Sequence, residues 1–128
     1  MIVLDVNVLI AHLEAGDPQH ARAEILLGDL AHEELGASPL TLAEVLVGPA
    51  RAGRVDRATA VLEELQVHTV ALTDDAPLRL ALLRAGTNLK LPDCAVLLSA
   101  ETAGAAVASF DDRLCAAARE RGHVVRSG

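Results

Sequence analysis

The sequence predicts an α/β fold with a mostly parallel sheet of about five strands. Short apolar runs of strand length alternate with segments whose apolar residues recur at helical spacing. No linker, internal repeat or low-complexity stretch interrupts this alternation, so residues 1–128 read as one compact domain.

The elements follow in order. The opening run Met1-Ile2-Val3-Leu4 predicts a buried strand near Ile2–Leu4 that stops on Asp5. A helix from about Val8 to Glu14 ends at Gly16. Asp17-Pro18 pairs an N-cap with proline at the first helical position and starts a second helix, through about Leu27. The next strand falls at Leu35–Ser38. Thr41 caps a third helix, with Glu44 three residues on in capping-box spacing. Arg54–Leu65 reads as a helix, Val67–Leu72 as a strand, and Asp75–Ala85 as a helix closed by Gly86. Pro92–Thr102 is nearly all apolar, which marks a buried helix. A strand at Ala105–Ser109 precedes a helix at Asp112–Arg121, with Gly122 as its αL cap. A last strand lies at His123–Arg126.

Composition narrows the function. Hydrophobic residues make up 52% of the chain, and Phe110 is the one aromatic. The mean hydropathy of +0.34 implies apolar surface that faces a partner. No apolar run reaches the ~18 residues of a membrane span, and no basic region precedes the first apolar stretch as in a signal peptide. Cys94 and Cys115 are isolated, as free thiols of a cytosolic protein are. His12, His20, His32, His68 and His123 form no ligand pattern. The net charge of −7 argues against a simple electrostatic nucleic-acid binder. That charge includes, however, acids that a cation would neutralise, and Arg51, Arg54 and Arg57 form a basic cluster that is either a contact surface or a solvated helix face.

Four acids stand against apolar runs: Asp5, Glu44, Asp93 and Asp111. Desolvating a carboxylate costs several kcal/mol unless something offsets its charge. Each has a plain alternative, since Asp5, Asp93 and Asp111 stand where helix N-caps belong and Glu44 fits a capping box. Together they fall on one predicted rim, at the carboxyl ends of strands where open parallel sheets bind ligands. Two carboxylates 4 Å apart repel by about 4 kcal/mol at an effective dielectric near 20. An ionised cluster of four therefore needs a cation, and an all-oxygen donor set favours Mg²⁺ or Mn²⁺ over Zn²⁺.

Asp5-Val6-Asn7 after a short strand, Glu44 in an early helix, Leu91-Pro92-Asp93, and Ser109-Phe110-Asp111 together resemble the PIN domain, most closely the VapC ribonuclease toxins of bacterial toxin–antitoxin pairs. The likeness spans the whole chain. It implies a three-layer α/β/α sandwich and a Mg²⁺-dependent endoribonuclease acting on structured RNA such as tRNA or rRNA. It also implies a cognate antitoxin, homodimerisation and a cytoplasmic setting. By position, Asp5 and Asp93 would be the main metal ligands, Glu44 and Asp111 would complete the site, and Asn7 and Ser109 would support it. Many relatives carry Thr or Ser after the first Asp, where this chain has Val6.

The reaction expected is hydrolysis of an RNA phosphodiester by metal-activated water. With so few aromatics for base stacking, RNA contacts fall to phosphates and basic side chains, with Lys90, Arg113 and the Arg51/Arg54/Arg57 cluster as candidates. Three alternatives stand beside it. A phosphoacceptor domain wants an aspartate ending the third strand, where Thr73 follows Leu72. A phosphatase of the DxD type wants an acid at Asn7. A non-catalytic interaction module of the same fold would have no need of the four acids.

Overall fold

A computed structural model describes the chain from Met1 to Gly128. Its elements are β1 (Ile2–Leu4), α1 (Val6–Leu13), α2 (His20–Asp29), β2 (Leu35–Ala37), α3 (Pro39–Arg51) and α4 (Val55–Glu64), then β3 (Val67–Thr69), α5 (Ala76–Gly86), α6 (Leu91–Ala103), β4 (Ala106–Ala108), α7 (Asp112–Glu120) and β5 (Val125–Arg126). All neighbouring strands pair in parallel, in the order β3-β2-β1-β4-β5. The chain winds outward in one direction from β1 to β3 and in the other from β4 to β5. The strand order therefore reverses between β1 and β4.

Alternation along the strands divides the core into two layers. Ile2 and Leu4 of β1 join Val8, Leu9, Leu26 and Leu30 from α1 and α2 and the segment after α2 on one face. Val3 of β1 and Val107 of β4 join Leu97, Leu98 and Leu114 from α6 and α7 on the other. Strands covered on both faces are apolar throughout, as parallel sheets demand. From Cys94 to Ala100 every residue of α6 is buried, because the helix is wedged among α5, α3 and the sheet. Truncating Leu97 or Leu98 to Ala there costs about 2–5 kcal/mol. At Gly36, in the middle of β2, a Cβ would lie 2.8 Å from the Met1 Sδ and 3.1 Å from Val70, so a side chain there would make Met1 and Val70 shift.

Helix ends mark where local signals compete. The third helix is capped by Ser38, whose Oγ accepts from the Leu40 N–H, with proline following at N1. Thr41, expected as the cap, is instead buried inside the helix. Glu44 therefore sits in the second turn and is no capping-box partner. The second helix starts at His20, and Asp17-Pro18 forms the turn before it, with the Asp17 carboxylate accepting from the Gln19 N–H. The first helix begins at Val6, two residues earlier than its apolar pattern indicates, because Asp5 caps it. The third strand ends at Thr69 rather than Leu72. The sixth helix begins at Leu91, so Asp93 lies within its first turn and is not its cap. Beyond α7, Gly122 adopts a φ of +86°, and the N–H groups of His123 and Gly122 return to the carbonyls of Ala118 and Arg119, a Schellman closure.

Candidate active site

Asp5 leaves β1, and Ser109 follows β4, on either side of the reversal in strand order. A parallel sheet opens a crevice at that point because the flanking connections diverge to opposite faces. Asp5 is only 3% exposed. One carboxylate oxygen accepts from the Val6 N–H at 2.7 Å, and the other from the Ser109 hydroxyl at 2.6 Å. Ser109 Oγ in turn accepts from the Asp111 N–H at 3.0 Å and from the Asn7 amide at 3.4 Å. The Asn7 side-chain oxygen accepts from the Phe110 N–H at 3.3 Å. Two strand ends and two helix starts are thereby tied through a buried hydroxyl and one amide. Asp111 caps α7, accepting from the N–H groups of Arg113 and Leu114 at 2.8 and 3.2 Å. Of the three acids expected as possible caps, Asp5 and Asp111 do cap their helices and also belong to this network, whereas Asp93 does not cap.

The electrostatics of the acids differ from those of surface carboxylates. Burial raises the Asp5 pKa from 3.8 to about 6, the hydrogen bonds from Ser109 and Val6 pull it back in part, and the charges of Asp93 and Asp111 raise it further. Asp93 is also raised, first by burial and then by Asp111, while Lys90 and Arg113 hold it down. Asp5, Asp93 and Asp111 therefore lie within one another's electrostatic reach, with Lys90 and Arg113 beside them. Neither Asp93 nor Glu44 has a hydrogen-bond or ion-pair partner for its side chain. Glu44 is half-buried on α3, which packs against the helix carrying Asp93.

The donor set suits a hard cation. Its groups are all oxygens, two of its acids are fixed by hydrogen bonds and two are unpartnered, and burial first, then neighbouring charge, makes Asp5 and Asp93 costly to ionise without a cation. As the side chains lie, no three carboxylates, imidazoles or thiols stand close enough to enclose one ion.

The basic residues divide. Lys90 and Arg113 flank the acids, whereas Arg54 and Arg57 line a cleft of about 320 Å³ with Leu13 to Gly16 and Pro49. That cleft is at the far end of α1, about 12 Å along the helix from Asp5. Arg51, in the last turn of α3, belongs to the same end. One contact had no sequence signal. The Arg22 guanidinium lies 4.3 Å from the Phe110 ring centre and donates to the Ser127 carbonyl through Nε and Nη2. It joins α2, the residue after the C-terminal strand and the residue next to Ser109, partners that no local spacing brings together.

Fold and site define an α/β domain whose polar centre is an acidic crevice at the switch point of a parallel sheet. The chain belongs to the PIN domain family, whose model matches residues 2–120. That family is generally one of nucleases, and its members typically use divalent metal ions. Among solved structures, VapC20 of Mycobacterium tuberculosis, described as a sarcin–ricin-loop-cleaving toxin, is similar with a TM-score of 0.78 and 20% identity over 97% of each chain. A toxin–antitoxin complex from Klebsiella pneumoniae matches with a TM-score of 0.74 and 22% identity over 99% of this chain and 97% of the other. FitAcB from Neisseria gonorrhoeae matches with a TM-score of 0.72 and 22% identity over the same shares. No curated protein matches the chain in sequence.

Proposed function

We propose that this protein is a metal-dependent endoribonuclease, the toxin of a toxin–antitoxin pair, which hydrolyses phosphodiester bonds in structured RNA such as tRNA or rRNA. The observation that carries this reading is Asp5, an acid with almost no exposure, held from two sides at the switch point, its pKa raised by that burial and further by two neighbouring acids. Such a group is costly in the free protein and becomes favourable once a cation shares its charge. Asp5 and Asp93 are assigned as direct donors to Mg²⁺ or Mn²⁺, with Glu44 and Asp111 completing the acidic set. The bound ion supplies a lower pKa for the attacking water and charge stabilisation at the phosphate. Ser109 and Asn7 keep the Asp5 carboxylate in one orientation. Lys90 and Arg113 stand where the RNA phosphates flanking the scissile bond would pass, and Arg51, Arg54 and Arg57 would meet RNA only well away from it.

An antitoxin and a homodimer complete the proposal, supported by the apolar excess of the chain and by the toxin–antitoxin complexes among its structural neighbours. No helix is long and apolar enough to cross a membrane, and we place the protein in the cytoplasm. Incubation with a total RNA pool tests the central reading. EDTA should abolish cleavage, Mg²⁺ or Mn²⁺ should restore it, and Zn²⁺ should restore it poorly. Full activity without divalent ions overturns the mechanism, and no activity with any ion favours a non-catalytic binding module on the same fold.

A further inference from the structure

The segment Ser109-Phe110-Asp111 is tied down through every backbone N–H. Ser109 donates to the Arg126 carbonyl at 3.2 Å, Phe110 to the Asn7 side-chain oxygen at 3.3 Å, and Asp111 to the Ser109 hydroxyl at 3.0 Å. The side chains of Ser109 and Asp111 are fixed by hydrogen bonds as well. The Phe110 ring has no polar group for that purpose. It packs against the core layer of α1 and α2, and the Arg22 guanidinium covers it at 4.3 Å from the ring centre. Arg22 also donates twice to the carbonyl of Ser127, the residue after the Arg126 that accepts from Ser109. The contacts close a ring from this segment to the end of β5, on to Arg22, and back through Phe110.

Helix α2 itself gains nothing from this arginine. No carboxylate pairs with it, and a cation in the first turn of a helix opposes the helix dipole. The charges that act on Asp5 and Asp93 are those of Asp93, Asp111, Lys90 and Arg113. Arg22 therefore reaches the site by contact and not through its field. We propose that Arg22 is a positioning residue for the acidic site. By clamping Phe110 and tying it to Ser127, it sets the path of the segment and with it the direction of the Ser109 hydroxyl and the Asp111 carboxylate. Arginine suits this task where lysine does not, since its planar group stacks on the ring while Nε and Nη2 fork onto one carbonyl. The inference rests on the nuclease reading for its kinetic test alone.

Amide hydrogen exchange of the metal-free protein, followed by NMR, tests the geometry without catalysis. Arg22→Lys keeps the charge and removes the flat face. It should speed exchange of the Phe110 and Asp111 N–H groups about tenfold more than that of the core amides of Val3 and Leu97, which report global opening. The same variant should lower kcat for RNA cleavage about tenfold with KM changed less than about twofold, and weaken Mn²⁺ binding about threefold by calorimetry. Phe110→Leu should match it, and the double variant should be no worse than either single one, because both remove the same contact. Phe110→Tyr, which keeps the ring, should recover most of the rate that Phe110→Leu loses. Equal acceleration at all of these amides marks a plain structural staple and overturns the proposal. So does a raised, salt-dependent KM with kcat unchanged, the sign of an RNA contact, and so does a local change in exchange that moves neither kcat nor Mn²⁺ affinity. If the wild type cleaves no RNA the nuclease reading falls, and the exchange pattern with the Mn²⁺ affinity still decides the role of Arg22.

Discussion

Replacing Asp5 with asparagine should make the metal-free protein more stable near neutral pH, and the size of the gain follows from the site. An acid raised from 3.8 to about 6 on folding represents roughly 3 kcal/mol, at about 1.4 kcal/mol per tenfold change in proton affinity. The folded state holds the proton more tightly than the unfolded state. Stability is accordingly unaffected below about pH 4, falls as the pH rises from about 4 to about 6, and stays lower by up to ~3 kcal/mol above that. Asp93, also raised by burial, adds to the fall in the same direction. Asparagine at position 5 has no charge to desolvate. It does lose a hydrogen bond, because the Ser109 hydroxyl already accepts from Asp111 and Asn7 and has no acceptor for its own proton if the new amide also donates to it. That loss costs about 1–2 kcal/mol.

The variant should therefore be about 1–2 kcal/mol more stable than the wild type near pH 8 and about 1–2 kcal/mol less stable near pH 4. Urea unfolding of both proteins in EDTA across that range measures the difference directly and cancels the titrations they share. Adding Mg²⁺ at about 100 times its Kd should then raise the wild type by about 2.7 kcal/mol and leave the variant nearly unchanged. A stability difference that stays flat with pH within about 0.5 kcal/mol refutes the reasoning, because Asp5 would then titrate as a surface acid does.

The remaining predictions separate structural from chemical roles. Ser109→Ala should cost about 1–3 kcal/mol in stability, measured by urea unfolding, and should lower the cleavage rate, since it frees one Asp5 oxygen and strands the Asp111 N–H. Asp111→Asn should keep the cap, because asparagine caps as well as aspartate, while lowering activity and Mn²⁺ affinity; Asp112→Asn, exposed in the first turn of α7, should change stability by only a few tenths of a kcal/mol. Glu44→Gln should leave the melting temperature nearly unchanged and reduce cleavage, less than Asp93→Asn does. An equal loss of stability in Glu44→Gln marks that residue as structural instead.

Much of this architecture is legible in the sequence because central parallel strands covered on both faces must be apolar throughout, as the runs at Ile2–Leu4, Leu35–Ala37 and Ala106–Ala108 are. The edge strands Val67–Thr69 and Val125–Arg126 carry polar residues and show the pattern only in part. Boundaries were less legible where two valid signals overlapped. Ser38-Pro39 and Thr41 with Glu44 both read as helix starts, and the earlier wins because proline at N1 fixes the backbone before Thr41 is reached. That outcome bears on the site. With Ser38 as the cap, Glu44 loses its structural explanation and remains a half-buried acid without a partner. Asp5 and Asp111 show the opposite relation, since capping accounts for one oxygen of Asp5 and one of Asp111 and leaves their other oxygens for further contacts. Capping and cation binding draw on the same property, a carboxylate at a helix start on the ligand-binding rim of the sheet, so evidence for the first does not count against the second. The Arg22–Phe110 stack and the placement of the Arg54 and Arg57 cleft lay beyond sequence reasoning for a simpler reason. Each depends on how two helices far apart in the chain are turned about their axes, and local periodicity carries no information about that.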